Sequence, residues 1–145
     1  MADLPPVEFA LLSPHDYDAA LALWNRCAGV RASETRAEFV RILERNPGLS
    51  PVARVAGALV GAVLCCHDGR RGYLYHLGVA AEFRQRGIAR ELVERSLASL
   101  AQQGIRRCTI FLVTDNAEGE AFWRRVGFRE RIDLKVMARD LEVVD

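Results

Sequence analysis

The chain has 145 residues, half of them hydrophobic and 27% charged, which are the proportions of one soluble globular domain and not of a disordered or membrane protein. Twenty Lys and Arg against nineteen Asp and Glu leave a formal net charge of +1, which excludes a protein that holds nucleic acid by general electrostatics. The longest apolar run, around Val55 to Cys66, is broken by glycines and too short to span a bilayer, and no charged leader opens the chain, so a single cytoplasmic domain over residues 1–145 with no membrane contact is expected.

Val7 to Leu12 reads as a first strand, and Ser13-Pro14 supplies an N-cap with proline at the first helical position of a helix running to about Cys27. Thr35-x-x-Glu38 is a capping box for a second helix, Arg36 to Arg45, that stops at Asn46-Pro47-Gly48. Pro51–Val55 and Leu59–Cys66 are β-rich runs around Gly57, read as a hairpin, and the turn His67-Asp68-Gly69 leads into a strand from Tyr73 to Val79. The period then changes to 3.6: Ile88, Leu92, Val93, Leu97 and Leu100 form one stripe, and Gly104 ends the helix. Arg107 to Val113 is a further strand. Asp115 or Asn116 caps a short helix ending at Gly127, and Phe128 to Leu141 reads as two more strands around Asp133.

Cys27, Cys65, Cys66 and Cys108 show neither C-x-x-C spacing nor His companions at zinc-finger intervals, so neither a metal site nor a disulfide framework is signalled. Each reads as a small buried hydrophobe, with Cys108 as a nucleophile the sharper alternative that nothing around it activates. His15 and His67 receive no role, and Arg70 and Arg71 read either as solvated or as an attraction for an acidic substrate.

Strand, helix and strand from Tyr73 to Val113 make a right-handed crossover with the two strands parallel, and the loop entering its helix is a ligand position by topology. That loop carries Arg84, Arg86 and Arg90, each unfavourable at a helix N-terminus by roughly 0.3–1 kcal/mol. A bound anion reverses the sign, with Gly87 letting the backbone approach phosphate oxygens and Ala89 leaving room; the alternative is that the arginines splay into water. The spacing matches neither G-x-x-x-x-G-K-[ST] nor G-x-G-x-x-G, so a P-loop NTPase and a dinucleotide-binding domain are not supported.

Arg84-Gln85-Arg86-Gly87-Ile88-Ala89 resembles the [QR]-x-x-G-x-[GA] signature of the GNAT acyltransferase superfamily, with Leu77-Gly78-Val79 in the place of its L-x-V strand end. Asn116, Ala121-Phe122-Trp123 and Gly127-Phe128 resemble the family's N…A-x-F-Y-x-x-x-G-F block, and "RNPGLS", "HDGRRGYLYHLGV" and "DLKVMARDL" are similar to a branch close to the ribosomal-protein N-terminal acetyltransferases. The resemblance covers nearly the whole chain. It implies an α/β fold with a mixed, mostly antiparallel sheet of about six or seven strands, helices on both faces, and two parallel strands splayed around acetyl-coenzyme A. It further implies backbone N–H groups of Gln85, Arg86, Gly87, Ile88 and Ala89, beside Arg84, on the pyrophosphate, Leu77 and Val79 paired with the pantetheine amides, the Leu77 N–H facing the thioester carbonyl, and Asn116 on the coenzyme arm.

The family's activity is acetyl transfer to an amine, here a protein N-terminus, a lysine or a small amine, by a monomer or a homodimer without a metal. The sequence departs from the family in two places. Trp123 stands where many members have a tyrosine that protonates the leaving thiolate; it reads as a packing residue or a contact to the cofactor arm. Phe111 stands where the N-terminal acetyltransferases often carry a glutamate base, which leaves His76 as the candidate base by its unperturbed pKa, with Tyr73, Tyr75 and Glu82 as weaker ones. Both departures also fit an acyl-coenzyme A-binding module without turnover, and a small ATP- or NAD-binding regulator is a third possibility. Residues Cys27 to Thr35 are expected to form the acceptor lip.

Overall fold

A computed structural model describes residues 5–144. Strands β1 (Val7–Leu11), β2 (Pro51–Val55), β3 (Ala58–His67) and β4 (Gly72–Val79) pair antiparallel in chain order, and β5 (Cys108–Ile110) joins β4 in parallel to complete a five-stranded sheet. The β2–β3 hairpin turns on Ala56 and Gly57, both with positive φ, the conformation that matches a two-residue turn to the twist of its strands. At the β3–β4 turn, Asp68 Oδ1 accepts the backbone N–H of both Arg70 and Arg71.

Four α-helices accompany the sheet: α1 (Tyr17–Arg26, after a short 3-10 turn at Pro14–Asp16), α2 (Arg36–Arg45), α3 (Ile88–Gln102) and α4 (Ala117–Arg125). The Thr35–Glu38 capping box forms as the sequence spells it, Glu38 N–H donating to Thr35 Oγ1 and Thr35 N–H to Glu38 Oε1. Helices α1 and α3 cover opposite faces. A Cβ at Gly78 would meet Trp24 of α1 and Cys27 just after it, whereas one at Gly61, next in chain to the Gly78 partner Ala62, would meet Ile88 and Leu92 of α3. The core therefore lies in two layers, Leu23, Trp24 and Phe39 on one side and Ile88, Leu92, Val93 and Leu100 on the other, all buried. Trp24 satisfies its indole N–H on the Ala62 carbonyl at 3.1 Å.

Two expectations fail. The strand expected from Arg107 to Val113 is only Cys108–Ile110, and Phe128 to Leu141 carries no strand, so the sheet has five strands and not six or seven. The tail keeps the turn at Ile132-Asp133, but period-two patterning only makes a segment competent to pair. Its apolar residues find no ladder in their own chain and stay exposed. No helix among the described residues is long and apolar enough to cross a membrane.

Candidate active site

The site begins with an irregularity in β4. Ala62 pairs with Gly78 and Leu64 with Tyr75, so His76 and Leu77 together oppose the single residue Val63, and His76 takes a left-handed φ of 59°. A side chain in that conformation costs roughly 1–2 kcal/mol, a strain of the kind that concentrates at functional positions. The extra residue also switches faces: Gly72 looks toward Leu100 of α3, while Gly78, six residues on, looks toward α1. Pairing of β4 with β5 stops at Leu74–Ile110, immediately before the bulge. From Tyr75 to Val79 that edge of β4 has no strand partner.

Between the parted strands lies a cleft of about 410 Å³. Leu77 and Val79 line one wall and Ile110 to Val113 the other, with Asn116 and Trp123 of the α4 region, Arg84 and Ala89 beside the α3 start, and Cys27 to Arg31 closing the remaining sides. The Val79 carbonyl accepts from Arg84 Nε at 3.4 Å and Cys27 Sγ at 3.8 Å, both cleft groups, whereas the N–H of Ala80 turns the other way to Val60. N–H and C=O of one strand residue face the same edge, so Val79, and two residues earlier Leu77, present their amides to the cleft.

At the mouth, the turn into α3 has positive φ at Gln85 and Gly87. None of the backbone N–H groups from Gln85 to Arg90 has a protein acceptor among the described residues; the first internal bond is Glu91 N–H to Gly87 O at 3.0 Å. Free N–H groups in alternating conformations at a helix start make an anion-binding concavity. The three arginines divide: Arg84 lines the cleft, Arg86 lies over the Phe83 ring and donates to the Pro5 carbonyl at 3.2 Å, and Arg90 is exposed away from the lining. The Ile88 side chain belongs to the core, leaving only its backbone for a ligand. Gln85 and Gly87 sit on the exposed turn outside the cleft walls.

Asn116 caps α4, its Oδ1 accepting from Gly119 N–H at 2.9 Å, and lines the cleft as it does so. Trp123 meets the Phe122 and Phe128 rings edge-on, at 5.3 and 5.0 Å, so it is both a packing residue and a cleft wall. Phe111 is 54% exposed and stacks with Tyr73 and Tyr75. Tyr75 lines the cleft, and its phenol is pushed up by burial first and by Cys66 and Tyr73 next. Glu82 is exposed on a 3-10 turn, Ala81–Phe83.

Sequence reasoning missed Glu34. It lies 42 residues from His76, and its Oε1 is 2.7 Å from His76 Nε2. Its segment is pinned by the Tyr17 hydroxyl, which donates to the Glu34 carbonyl at 2.6 Å, and the His76 ring packs 5.3 Å from that of Trp24. Glu34 Oε2 is the one buried side-chain N or O without a partner among the described residues. His76 lines the cleft, and its one side-chain hydrogen bond among the described residues is made through Nε2, leaving Nδ1 without a partner. With Nε2–H held by the carboxylate, Nδ1 carries the free lone pair. The available signal was position: Glu34 is the carboxylate of the lip expected between Cys27 and Thr35.

Three of the four cysteines are inert thiols. Burial pushes Cys65 up to about 12 and Cys108 to about 11, and burial with the Glu34 charge pushes Cys66 to about 11, so none is a nucleophile near neutral pH.

The Acetyltransferase (GNAT) family matches residues 17–128. An acetyltransferase of Pectobacterium atrosepticum is 35% identical over 111 residues, 76% of this chain and 79% of that protein. Among solved structures, Ard1 from Thermoplasma volcanium aligns with a TM-score of 0.75 at 21% identity over 85% of this chain and 82% of its own. PaiA N-acetyltransferase from Thermoplasma acidophilum, in complex with coenzyme A, aligns with a TM-score of 0.73 at 18% identity over 86% and 90%. At these identities the structural likeness is one of fold.

Proposed function

The chain belongs to the GNAT acetyltransferase family, with acetyl-coenzyme A as its cosubstrate, and from that premise we propose that it acetylates a primary amine, on a protein N-terminus, a lysine or a small molecule, by direct attack of the amine on the thioester. The observation that carries this reading is a continuous track: free N–H groups at the α3 start, then Val79 and Leu77 on the stretch of β4 without a strand partner, then His76 in the cleft lining.

In this reading the turn Gln85–Ala89 and Arg84 hold the pyrophosphate, the one strongly anionic part of the cosubstrate near the cleft. Leu77 and Val79 receive the pantetheine amides as a strand would. The Leu77 N–H faces the carbonyl oxygen on which negative charge develops, a contact typically worth a few kcal/mol. His76 Nδ1 takes a proton from the substrate's ammonium group so that the neutral amine attacks the thioester carbonyl, and Glu34 holds the ring in that tautomer and stabilises the imidazolium. Trp123 is no practical proton source; a thiol of pKa about 8.5 leaves as thiolate without one.

Calorimetric titration with acetyl-coenzyme A, coenzyme A, ATP and NAD, followed by free-thiol release with an amine panel, tests the proposal. Selective binding of acetyl-coenzyme A at micromolar Kd with amine-dependent thiol release is expected. Binding without release from any amine would favour the second reading, a coenzyme-binding module, which the substitutions at Trp123 and Phe111 also suit.

A further inference from the structure

We propose that the acceptor is a free α-amino acid with an apolar side chain, its carboxylate held by Arg31; the inference rests on the acetyl transfer proposed above and narrows it to one substrate class. Arg31 lies on the lip, which is tied to β4 at both ends. Cys27 Sγ donates to the Val79 carbonyl at 3.8 Å, and Glu34 Oε1 meets His76 Nε2 at 2.7 Å. Between those anchors Gly29 comes against Asn116, so that a Cβ there would lie 2.5 Å from Asn116 Nδ2. The lip therefore crosses the cleft, and it carries Arg31 into the cleft lining together with His76.

The Arg31 guanidinium is the charge of the lip left over. Glu34 is taken by His76, and Arg36 by Asp18 at 2.9 Å and the Tyr17 ring at 4.8 Å, whereas Arg31 has no ion-pair partner among the described residues. The other arginine of the lining, Arg84, stands by the α3 start, and its one carboxylate, Glu118, belongs to α4 and forms no ion pair with Arg31. An unpaired guanidinium fork beside the reacting centre selects a carboxylate, which it can take bidentately, and disfavours a polycationic acceptor by like-charge repulsion.

A free amino acid brings both charges on one carbon, the ammonium group to His76 and the carboxylate to Arg31. A peptide N-terminus carries an amide in place of that carboxylate, and a lysine side chain carries nothing there. The remaining wall is apolar: Tyr75 and Phe111 line the cleft with ring centroids 6.2 Å apart, a surface for an apolar and above all an aromatic side chain. In the transfer the amide C–N bond forms as the thioester C–S bond breaks. Of the two protons that the ammonium nitrogen loses, one passes to His76 Nδ1 and the other reaches the departing thiolate through solvent.

Initial rates of thiol release at saturating acetyl-coenzyme A test the inference, with phenylalanine, glutamate, phenylalaninamide, phenethylamine, spermidine and a C-terminally amidated peptide as acceptors. The kcat/KM for phenylalanine is expected to exceed those for its amide and for phenethylamine about 10- to 100-fold, the worth of one charge-assisted contact, and to exceed that for glutamate. The amide has the less basic amine, so a faster acid can owe its advantage only to the carboxylate. Arg31→Gln is expected to remove that preference through KM, with the calorimetric Kd for acetyl-coenzyme A unchanged. Equal rates with acid and amide, a faster glutamate, peptide or polyamine, an Arg31→Gln variant that keeps the preference, or one that weakens acetyl-coenzyme A binding each overturn the inference and leave acetyl transfer standing. Thiol release with no amine overturns acetyl transfer and the inference with it.

Discussion

His76 is where backbone strain, a half-buried carboxylate and the parted strands meet, and its substitution is the most informative single change. His76→Gln keeps a donor for Glu34 but removes the base, and turnover is expected to fall about 10²–10⁴-fold with acetyl-coenzyme A affinity unchanged by calorimetry. His76→Ala is expected to act in the same direction, and wild-type turnover in either variant would remove His76 from the mechanism. Glu34→Gln is expected to lower turnover less, and to add nothing in the His76→Ala background, since a residue acting only through another has no independent effect. Arg84→Ala removes one charge-assisted contact, about 1.5–3 kcal/mol, so the Kd for acetyl-coenzyme A should rise roughly 10- to 100-fold with Tm unchanged, the side chain being exposed.

Among the elements, β4 carries the design: its bulge turns Gly78 under α1 and frees its outer edge. A Cβ at Gly78 would lie 2.9 Å from Cys27 Sγ and 3.0 Å from Trp24 Cδ1, the latter on a buried, rigid ring. Gly78→Ala is therefore expected to cost about 1–3 kcal/mol, read as a lowered Tm and denaturation midpoint. Gly87 offers the contrast, since nothing lies within 4 Å of its Cβ position but φ is 78°. Gly87→Ala should lose only the left-handed penalty of roughly 1–2 kcal/mol. Gly87→Glu adds a carboxylate beside the free N–H groups and should weaken coenzyme binding well beyond the alanine variant, with circular dichroism confirming the fold of both.

For the molecule as a whole, three thiols couple folding to alkaline pH. The folded chain holds the Cys65, Cys66 and Cys108 protons up to about 12, 11 and 11, against an ordinary value of 9.0. Below pH 9 the protons are bound in both states and this contribution is fully present. Above it the unfolded chain releases protons that the folded chain keeps, so stability should fall as pH rises from about 9 toward 11–12. Chemical denaturation across that range, repeated on Cys65→Ala/Cys66→Ala/Cys108→Ala, is expected to show a shallower decline in the triple variant.

What could be read from neighbours along the chain was legible: the Thr35–Glu38 box, the Asn116 cap, the apolar stripe of α3 and the glycine-bearing turn before it depend on residues within about one helical turn. The family followed from the same short-range spacing. The His76–Glu34 pair, the left-handed backbone of His76, the diversion of Arg86 to Phe83 and Pro5, and the unpaired tail were decided only in three dimensions. Each depends on which edge, face or distant loop the register of the sheet brings alongside, and a sequence carries the propensity to pair without naming the partner.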